Sequence, residues 1–278
     1  MKLSCADFTF PLLPHEDVFS LVRLLEIEGL DLGVFAGRSH LQPADIVGNP
    51  ARAAADFTAR FDDCGLLLAD VFLQVGEHPG DQAANCPDPA VRARSREVFL
   101  KVLEFASEAG AGHMTGLPGV PFEGVPDSDG LQLAAEEARW RVDEAGKAGI
   151  IFSVEPHVGS IAPTPRAAAD LVRMAGGLTL TLDYGHFIYA GFSNEDVHAL
   201  LPFASHFHAR GGAPKRLQST MAENTIAFPE ILRQFASGGY PGWICLEYVW
   251  VDWEGCNRTD NVSETVLLRD LLLGALPA

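Results

Sequence analysis

Four short apolar segments in the second half of the chain end in side chains that can bind a metal ion or move a proton. Glu155 closes the first of them, Asp183 the second, His208 the third and Glu247 the fourth. A carboxylate buried alone at such a position loses its hydration, which costs several kcal/mol. Because a shared divalent cation would balance these charges, we predict a metal site built from the three carboxylates and His208.

The ligand types indicate which ion this site would prefer. Carboxylate oxygens and one imidazole suit Mn²⁺, Mg²⁺ or Co²⁺ better than an ion that prefers thiolates, and Zn²⁺ also accepts such ligands. We expect one divalent ion, with Mn²⁺ as the first candidate. The alternative is that each side chain forms an isolated ion pair or caps a helix, but their shared place at the ends of successive segments favours a common site.

The chemistry that this set of residues suits is the removal of a proton next to a carbonyl group. A metal between the carbonyl oxygen and a neighbouring hydroxyl would act as a Lewis acid and stabilise the enediolate. Glu155 and Glu247, arriving from opposite sides, would serve as base and acid on the two faces of the substrate. Return of the proton gives isomerisation or epimerisation, whereas loss of a β-hydroxyl gives a dehydratase or lyase. A non-catalytic barrel subunit is the third hypothesis.

The segments that must position these residues alternate between short apolar runs and longer runs of helical periodicity. His15–Glu28, Leu131–Lys147, Pro165–Met174 and Ser263–Leu273 are among the predicted helices. Eight strand–helix units in a chain of this length predict a (β/α)₈ TIM barrel, with polar strand endings gathered on one face. The predicted strands are Leu3–Phe10, Leu30–Phe35, Leu66–Val75, His113–Leu117, Ile150–His157, Leu178–Asp183, Ser205–Ala209 and Trp243–Val249.

An open, doubly wound α/β sheet is the alternative architecture. No GxGxxG motif follows the first strand, and the number of units suits a barrel better. No linker, low-complexity tract or charge run divides the chain, so residues 1–278 are expected to form a single domain.

Composition excludes several classes of function. Apolar residues make up 47% of the chain, which is enough for a large core. Lys and Arg number 20 against 37 Asp and Glu, and the net charge of −17 argues against nucleic-acid binding. No apolar run reaches the length of a membrane span, and no signal-peptide pattern opens the sequence. The odd, scattered set of 5 cysteines is read as reduced thiols, and the expected location is cytoplasmic.

The order of the strand endings resembles that of the xylose isomerase-like TIM barrels. A Glu ends the fifth strand, Asp-x-x-His the sixth, His-x-His the seventh and a Glu the eighth. The segment Thr181–Phe187 is close to the sixth-strand ending of the sugar isomerase/epimerase group, which includes ketose 3-epimerases, hydroxypyruvate isomerase and inosose dehydratase. The resemblance implies the same metal ligands as the residue types do, and a ketose or related sugar as substrate.

The resemblance also implies contacts with the substrate. His186 would donate or accept a hydrogen bond at a carbonyl or hydroxyl oxygen. Arg210 would contact a substrate oxygen, but the epimerases usually place their Arg farther beyond the metal-binding His. Lys215 or Arg216 are therefore alternatives for this role.

Further side chains are candidates for substrate binding. His157 follows the fifth strand and is either a substrate contact or a solvated loop residue, and His206 on the seventh strand either lines the barrel or contacts substrate. Trp250 and Trp253, in the loop after the eighth strand, would stack on a sugar ring, and Arg258 would bind an anion. A packed loop that covers the barrel mouth is the alternative for this loop.

The expected partners are a small sugar-derived molecule and, since such barrels often dimerise, a second copy of the chain. Trp140 either lies in that dimer interface or packs its own helix on the barrel. The apurinic endonuclease branch of the superfamily would need more metal ligands at the earlier strand ends. Val34–Gly37 and Leu73–Gly76 supply none before Glu77 and His78, and the acidic charge opposes DNA binding.

Overall fold

The computed structural model describes residues 1–275 and places eight parallel strands in a closed barrel, each paired with its neighbours in sequence order. The strands are β1 (Lys2–Ala6), β2 (Gly29–Phe35), β3 (Leu67–Gln74), β4 (His113–Gly116), β5 (Ile151–Val154), β6 (Thr179–Asp183), β7 (Ala204–Ala209) and β8 (Trp243–Leu246). β1 pairs with β8 and closes the ring. The predicted (β/α)₈ TIM barrel is confirmed.

Helices follow the strands and pack around the barrel, as this architecture requires. Pro at the first turn and capping side chains start several of them; Thr164, for example, accepts a hydrogen bond from the backbone of Ala167 at 3.1 Å. The helices are α1 (His15–Leu24), α2 (Pro43–Val47), α3 (Pro50–Phe61), α4 (Pro89–Glu108), α5 (Asp127–Lys147), α6 (Pro165–Ala175), α7 (Tyr184–Tyr189), α8 (Asn194–His198), α9 (Phe228–Gly238) and α10 (Asn261–Ala275).

Some boundaries differ from the prediction for local reasons. α1 ends at Leu24 rather than Glu28, since Glu26 has a φ of 57° and leaves the helical conformation. β5 ends at Val154, although the prediction ran to His157, because Pro156 has no amide hydrogen to continue the ladder. The backbone N–H of Glu155 still donates to the carbonyl of Gly116 at 3.0 Å, which fixes Glu155 at the edge of the barrel.

Polar side chains fill part of the barrel interior below the strand ends. Thr181 Oγ1 lies 2.7 Å from Thr115 Oγ1 and 2.5 Å from Ser153 Oγ. Deeper still, His113 Nδ1 is 2.6 Å from Asp70 Oδ1. Because these buried groups satisfy one another, they form a rigid base under the strand-end residues.

Trp140 lies on α5 and faces α4. Its ring centroid is 5.8 Å from that of Phe99, and the guanidinium of Arg96 lies 4.7 Å from the ring. These contacts pack α5 against α4 within one chain.

Two general expectations can be compared with the described residues. All 5 cysteines are free thiols. Among residues 1–275, no helix has both the length and the apolar character needed to cross a membrane.

Candidate metal centre and active site

The four predicted ligands come together at the carboxyl-terminal end of the barrel. Asp183 is the last residue of β6 and His208 lies in β7, while Glu155 and Glu247 directly follow β5 and β8. The N–H of Glu247 donates to the carbonyl of Ala209 at 2.9 Å, so its backbone is held like that of Glu155. All four side chains are buried.

One ring nitrogen of His208 faces two carboxylates. Its Nδ1 is 2.6 Å from Glu155 Oε1 and 3.2 Å from Glu247 Oε1. Ligand atoms of these three residues lie within 4.8 Å of one another. A cation placed among them would therefore meet two oxygens and one nitrogen.

Asp183 lies on the other side of Glu155 and is paired with a cation. Arg210 Nη2 donates to Asp183 Oδ2 at 2.7 Å, and the N–H of Gly185 donates to Asp183 Oδ1 at 2.6 Å. The same Arg210 nitrogen is 3.9 Å from Glu247 Oε2. Glu155, Asp183 and His186 form a second group whose ligand atoms lie within 4.8 Å. The two groups share Glu155, so the four predicted ligands and His186 surround one region.

The charges in this region move the pKa values of Glu155 and Glu247 in opposite directions. Burial and the nearby charge of Glu247 raise the pKa of Glu155 to about 7. Although burial opposes ionisation of Glu247 too, the charges of His208 and Arg210 lower the pKa of that carboxyl. Groups with pKa values moved apart in this way are suited to act as an acid and a base.

The two histidines also differ in charge. Burial alone would lower the pKa of His208, but the charges of Glu247 and Glu155 outweigh it and raise the pKa well above the ordinary value. Burial and the charge of Arg210 keep the pKa of His186 well below its ordinary value. His186 is therefore neutral, with Nε2 3.2 Å from Arg210 Nη2.

These residues fit a divalent cation. Within residues 1–275, Arg210 is the one permanent cation within 4.0 Å of any of the three carboxylates, and it pairs with Asp183 and Glu247 only, so negative charge is in excess. Glu247 Oε2 is buried without a hydrogen-bond partner. Carboxylate oxygens and one imidazole are ligands that Mn²⁺, Mg²⁺, Co²⁺ and Zn²⁺ accept.

A cavity of about 640 Å³ opens above these residues. Glu155, Glu247, His157, His186 and Arg210 form its polar floor. Apart from Arg38, Gln74, Glu77 and His78, the rest of the lining is apolar or glycine, from the ends of β1 to β3 and from the chain after β3, β4, β5 and β8. The cavity gives a small molecule access to both glutamates.

The histidines of the fifth and seventh strands occupy different places. His157 lines the cavity; its Nδ1 is 2.9 Å from the carbonyl of Val158, and its Nε2 is buried without a partner. His206 lies below the site, where Nε2 is 2.5 Å from Asp31 Oδ2. Of the two roles considered for His206, the structure therefore shows the barrel-lining one.

The loop after β8 divides its side chains between two cavities. Val249, Val251 and Trp253 line the cavity above the glutamates, whereas Trp250 and Arg258 line a separate one of about 560 Å³. Side chains in extended backbone alternate between opposite sides, which separates Trp250 from its odd-numbered neighbours. The structure thus brings Trp253 to the site and does not bring Trp250 or Arg258.

The candidates for a basic substrate contact are also separated. Arg210 lies at the cavity floor, while Lys215 and Arg216 are outside its lining. Arg216 pairs instead with Glu223 at 2.5 Å.

Sequence reasoning missed Asp31 and Arg38. Asp31 is fully buried in β2, with Oδ2 3.6 Å from His208 Nε2. Its signal was a single carboxylate within an apolar strand, which requires a buried partner. Arg38 lines the cavity rim and donates to Gln74 Oε1 at 3.0 Å. It lies in the loop after β2, and nothing in its sequence context indicated that it reaches the cavity.

Comparison with solved structures gives the same barrel. D-Psicose 3-epimerase from Clostridium cellulolyticum H10 is similar with a TM-score of 0.78 at 15% identity, with 100% of both chains covered. The 3-keto-D-glucoside 4-epimerase YcjR from E. coli has a TM-score of 0.71 at 14% identity, covering 99% of each chain. The probable 3-DHS dehydratase AsbF from Bacillus anthracis has a TM-score of 0.70 at 12% identity, covering 97% of this chain and 99% of that one.

Comparison with curated protein sequences gives no match. The family comparison does give one, to the xylose isomerase-like TIM barrel, over residues 24–270. This match spans most of the chain and includes every strand from β2 to β8. The chain therefore belongs to the xylose isomerase-like TIM barrel family.

Proposed function

We propose that the protein is a divalent-metal-dependent enzyme that isomerises or epimerises a ketose or related sugar. The observation that carries this proposal is that Glu155 Oε1 and Glu247 Oε1 lie 2.6 and 3.2 Å from the same nitrogen, His208 Nδ1, at the floor of an open cavity. The epimerases among the similar structures support the same reaction class.

The metal would be held by Glu155, Asp183, His208 and Glu247, with Mn²⁺ as the preferred ion. When bound, it supplies a Lewis acid that makes the proton next to a substrate carbonyl easier to remove. Arg210 has a separate task at this site: its ion pair with Asp183 orients that carboxylate and compensates part of the negative charge.

The two glutamates would move the proton. A base needs to be ionised and within reach of the substrate, and Glu247, whose pKa is lowered, meets the first condition. Glu155 has a pKa of about 7 in the metal-free site, where it is the more readily protonated of the two glutamates. One glutamate therefore removes the proton from one face of the substrate and the other returns a proton, on the opposite face for epimerisation.

The remaining polar side chains of the floor would orient the substrate. His186 is neutral, and its Nε2, which accepts from Arg210 Nη2 at 3.2 Å, would accept a hydrogen bond from a substrate hydroxyl. His157 has an unpartnered Nε2 at the same floor. Both rings can hold a sugar hydroxyl without adding charge.

The first test combines metal content with solvent-deuterium exchange. Protein purified without chelator should contain about one divalent ion per chain, measured by mass spectrometry, and Asp183→Ala should lose it. Incubated with D-fructose in D₂O, the Mn²⁺-loaded protein should place deuterium next to the carbonyl.

The glutamates are tested in the same exchange assay. Glu155→Gln and Glu247→Gln should each slow exchange by at least about a hundredfold, the usual contribution of an acid or base. Glu77→Gln, at the cavity rim, is the matched control and should exchange normally. Undiminished exchange in both floor variants, or no metal bound after Mn²⁺ is added, contradicts the proposal.

A dehydratase or lyase is the second candidate function. The structural similarity to AsbF, a probable 3-DHS dehydratase, favours this candidate. One glutamate would remove the proton, and the other would donate a proton to the departing β-hydroxyl, which leaves as water. Product analysis by NMR distinguishes the two, because elimination yields a carbonyl compound lacking one water.

A further inference from the structure

The cavity above the glutamates has an apolar wall built from three phenylalanines. The ring centroids of Phe8 and Phe35 are 4.9 Å apart, and those of Phe35 and Phe72 are 5.0 Å apart, both edge to face. All three line the cavity and come from the chain after β1, from β2 and from β3. Such edge-to-face contacts hold each ring in one orientation.

The chain after β8 forms the opposite part of the wall. Val249 packs in one cluster with the three phenylalanines, and Val251 borders it. The ring of Trp253 is 6.0 Å from that of His186, so the wall continues down to the polar floor. Trp253 is 45% exposed, which leaves an indole surface available to a ligand.

This wall is fixed before any ligand arrives. Gln218 Oε1 accepts a hydrogen bond from Val249 N–H at 2.8 Å, and Gln218 Nε2 donates to the carbonyls of Val249 and Cys256 at 3.0 and 2.6 Å. These bonds tie the start and the end of the loop to one buried side chain. A ligand binds to a preformed apolar surface without the entropy cost of ordering the loop.

A sugar alone does not match this cavity. The cavity has a volume of about 640 Å³, which lies within the range of about 300–1,000 Å³ typical of sites for drug-sized ligands. A free monosaccharide carries a hydroxyl on nearly every carbon, so it would occupy the floor and leave the wall in contact with water. Arg38 stacks over Phe35 at 4.5 Å and adds a further flat surface at the rim.

We propose that the substrate of this site is a keto sugar joined to a flat apolar group, such as an aromatic 3-keto glycoside, with the sugar on the floor and the apolar group against the wall. The inference rests on the proposed function for the sugar half. The wall supplies the other half, because an aromatic ring is the ligand group that phenylalanine edges, valine methyls and an indole surface recognise together.

The test is calorimetric titration of the full-length, Mn²⁺-loaded protein with phenyl β-D-glucopyranoside and methyl β-D-glucopyranoside. These probes share the sugar and differ in the apolar group. The phenyl glycoside should bind at least tenfold more tightly. Equal affinity for the two probes overturns the inference.

Two variants of the same loop locate the apolar group. Trp253→Ala should reduce the preference for the phenyl glycoside over the methyl glycoside to threefold or less. Trp250→Ala is the matched control, since Trp250 is similarly exposed, at 40%, but lines the other cavity. Loss of the phenyl preference in both variants or in neither overturns the assignment. Circular dichroism of each variant verifies the fold.

The outcome is separable from that of the proposed function. Deuterium exchange into D-fructose with equal binding of the two glycosides keeps the sugar chemistry and removes the apolar subsite. Strong phenyl preference without exchange in D-fructose or in the glycosides' 3-keto derivatives keeps the subsite and removes the isomerase or epimerase reaction.

Discussion

Asp31 Oδ2 lies 3.6 Å from His208 Nε2, on the side of the imidazole ring away from Glu155 and Glu247. The other ring nitrogen, Nδ1, faces those carboxylates. A carboxylate behind a metal-binding histidine fixes the ring orientation and the tautomer. Asp31 is itself held by His206 at 2.5 Å, so it cannot turn away from His208 without breaking that contact.

Asp31→Asn should therefore weaken Mn²⁺ binding by about 10–100-fold, the usual effect of losing such a partner. Calorimetric titration of the metal-free protein with Mn²⁺ measures it. Asp70→Asn is the matched control, because Asp70 is equally buried in the barrel but contacts His113 rather than a ligand. Equal Mn²⁺ affinity in the two variants would show that Asp31 does not orient His208.

The metal-free protein should become less stable as the pH rises through neutrality. The pKa of Glu155 is raised from 4.5 to about 7, and the pKa of His208 is also raised, so the folded chain holds protons more tightly than the unfolded one. At and above neutral pH these two groups make the folded state bind more protons than the unfolded state, and the free energy of unfolding falls as pH increases. The fall should amount to about 1–2 kcal/mol between pH 7 and pH 8.

Urea denaturation in the presence of a chelator at pH 7, 7.5, 8 and 8.5 measures this dependence, with pH 7 expected to be the most stable of the four. Below about pH 6.5 the trend is opposed by the buried histidines His113, His157 and His186, whose pKa values burial lowers. Glu155→Gln should be more stable than the parent at pH 8 and show a shallower slope, whereas Glu77→Gln should keep the parent slope. Bound Mn²⁺ should reverse the trend, since its ligands must lose their protons. If the free energy of unfolding of the parent did not change with pH, the raised pKa values of this site would be contradicted.

Gly185 leaves no room for a side chain beside Asp183. A Cβ at this position would lie 2.9 Å from Asp183 Oδ1 and 3.2 Å from the carbonyl of Leu217. Gly185→Ala should displace the Asp183 carboxylate and weaken Mn²⁺ binding about tenfold or more. Gly238→Ala is the control, because a Cβ there meets nothing within 4 Å. Calorimetric titration with Mn²⁺ compares the two variants. Equal Mn²⁺ affinity would contradict the role of Gly185 in positioning Asp183.

Gln218→Leu should destabilise the protein by about 2–4 kcal/mol, because it removes buried hydrogen bonds worth about 1 kcal/mol each. The bonds lost are those to Val249, Cys256 and Thr259. Urea denaturation at pH 7 gives the value. Gln132→Leu, which removes one exposed bond to Glu136, should change the free energy of unfolding little. A comparable effect of both variants would mean that the loop after β8 is not held by Gln218.

The positions of the four predicted ligands followed from the sequence because each stands at the end of an apolar strand. Parallel strands of a barrel end on one face, so a strand count and the type of the last residue are enough to place Glu155 and Glu247 near each other. The His-x-His pair was harder. Both histidines lie on the same strand face, and only the depth of the barrel separates His208 at the carboxylates from His206 at Asp31.

The parts that could not be predicted depend on register and on irregular backbone. A register shift lies between Leu30 and Asp31, and it determines which layer of the barrel Asp31 enters. In the loop after β8, the residues next to Trp250 and Trp253 did not distinguish the two tryptophans. Val249, Trp250 and Val251 point alternately to opposite sides, and this alternation decides which cavity each side chain lines. The hydrogen bonds of Gln218 to Val249 fix which residues point to which side.

The division of labour along the chain has a consequence for how such an enzyme can change. The three phenylalanines of the wall come from β1, β2, β3 and the turns beside them, whereas the four ligands come from β5 to β8. In our proposal the phenylalanines of the first half and the loop after β8 would bind the apolar group of the substrate, and the ends of β5 to β8 would hold the metal. Exchanging the segments around the three phenylalanines, while keeping Asp31, should therefore alter which apolar groups are accepted and preserve the proton chemistry.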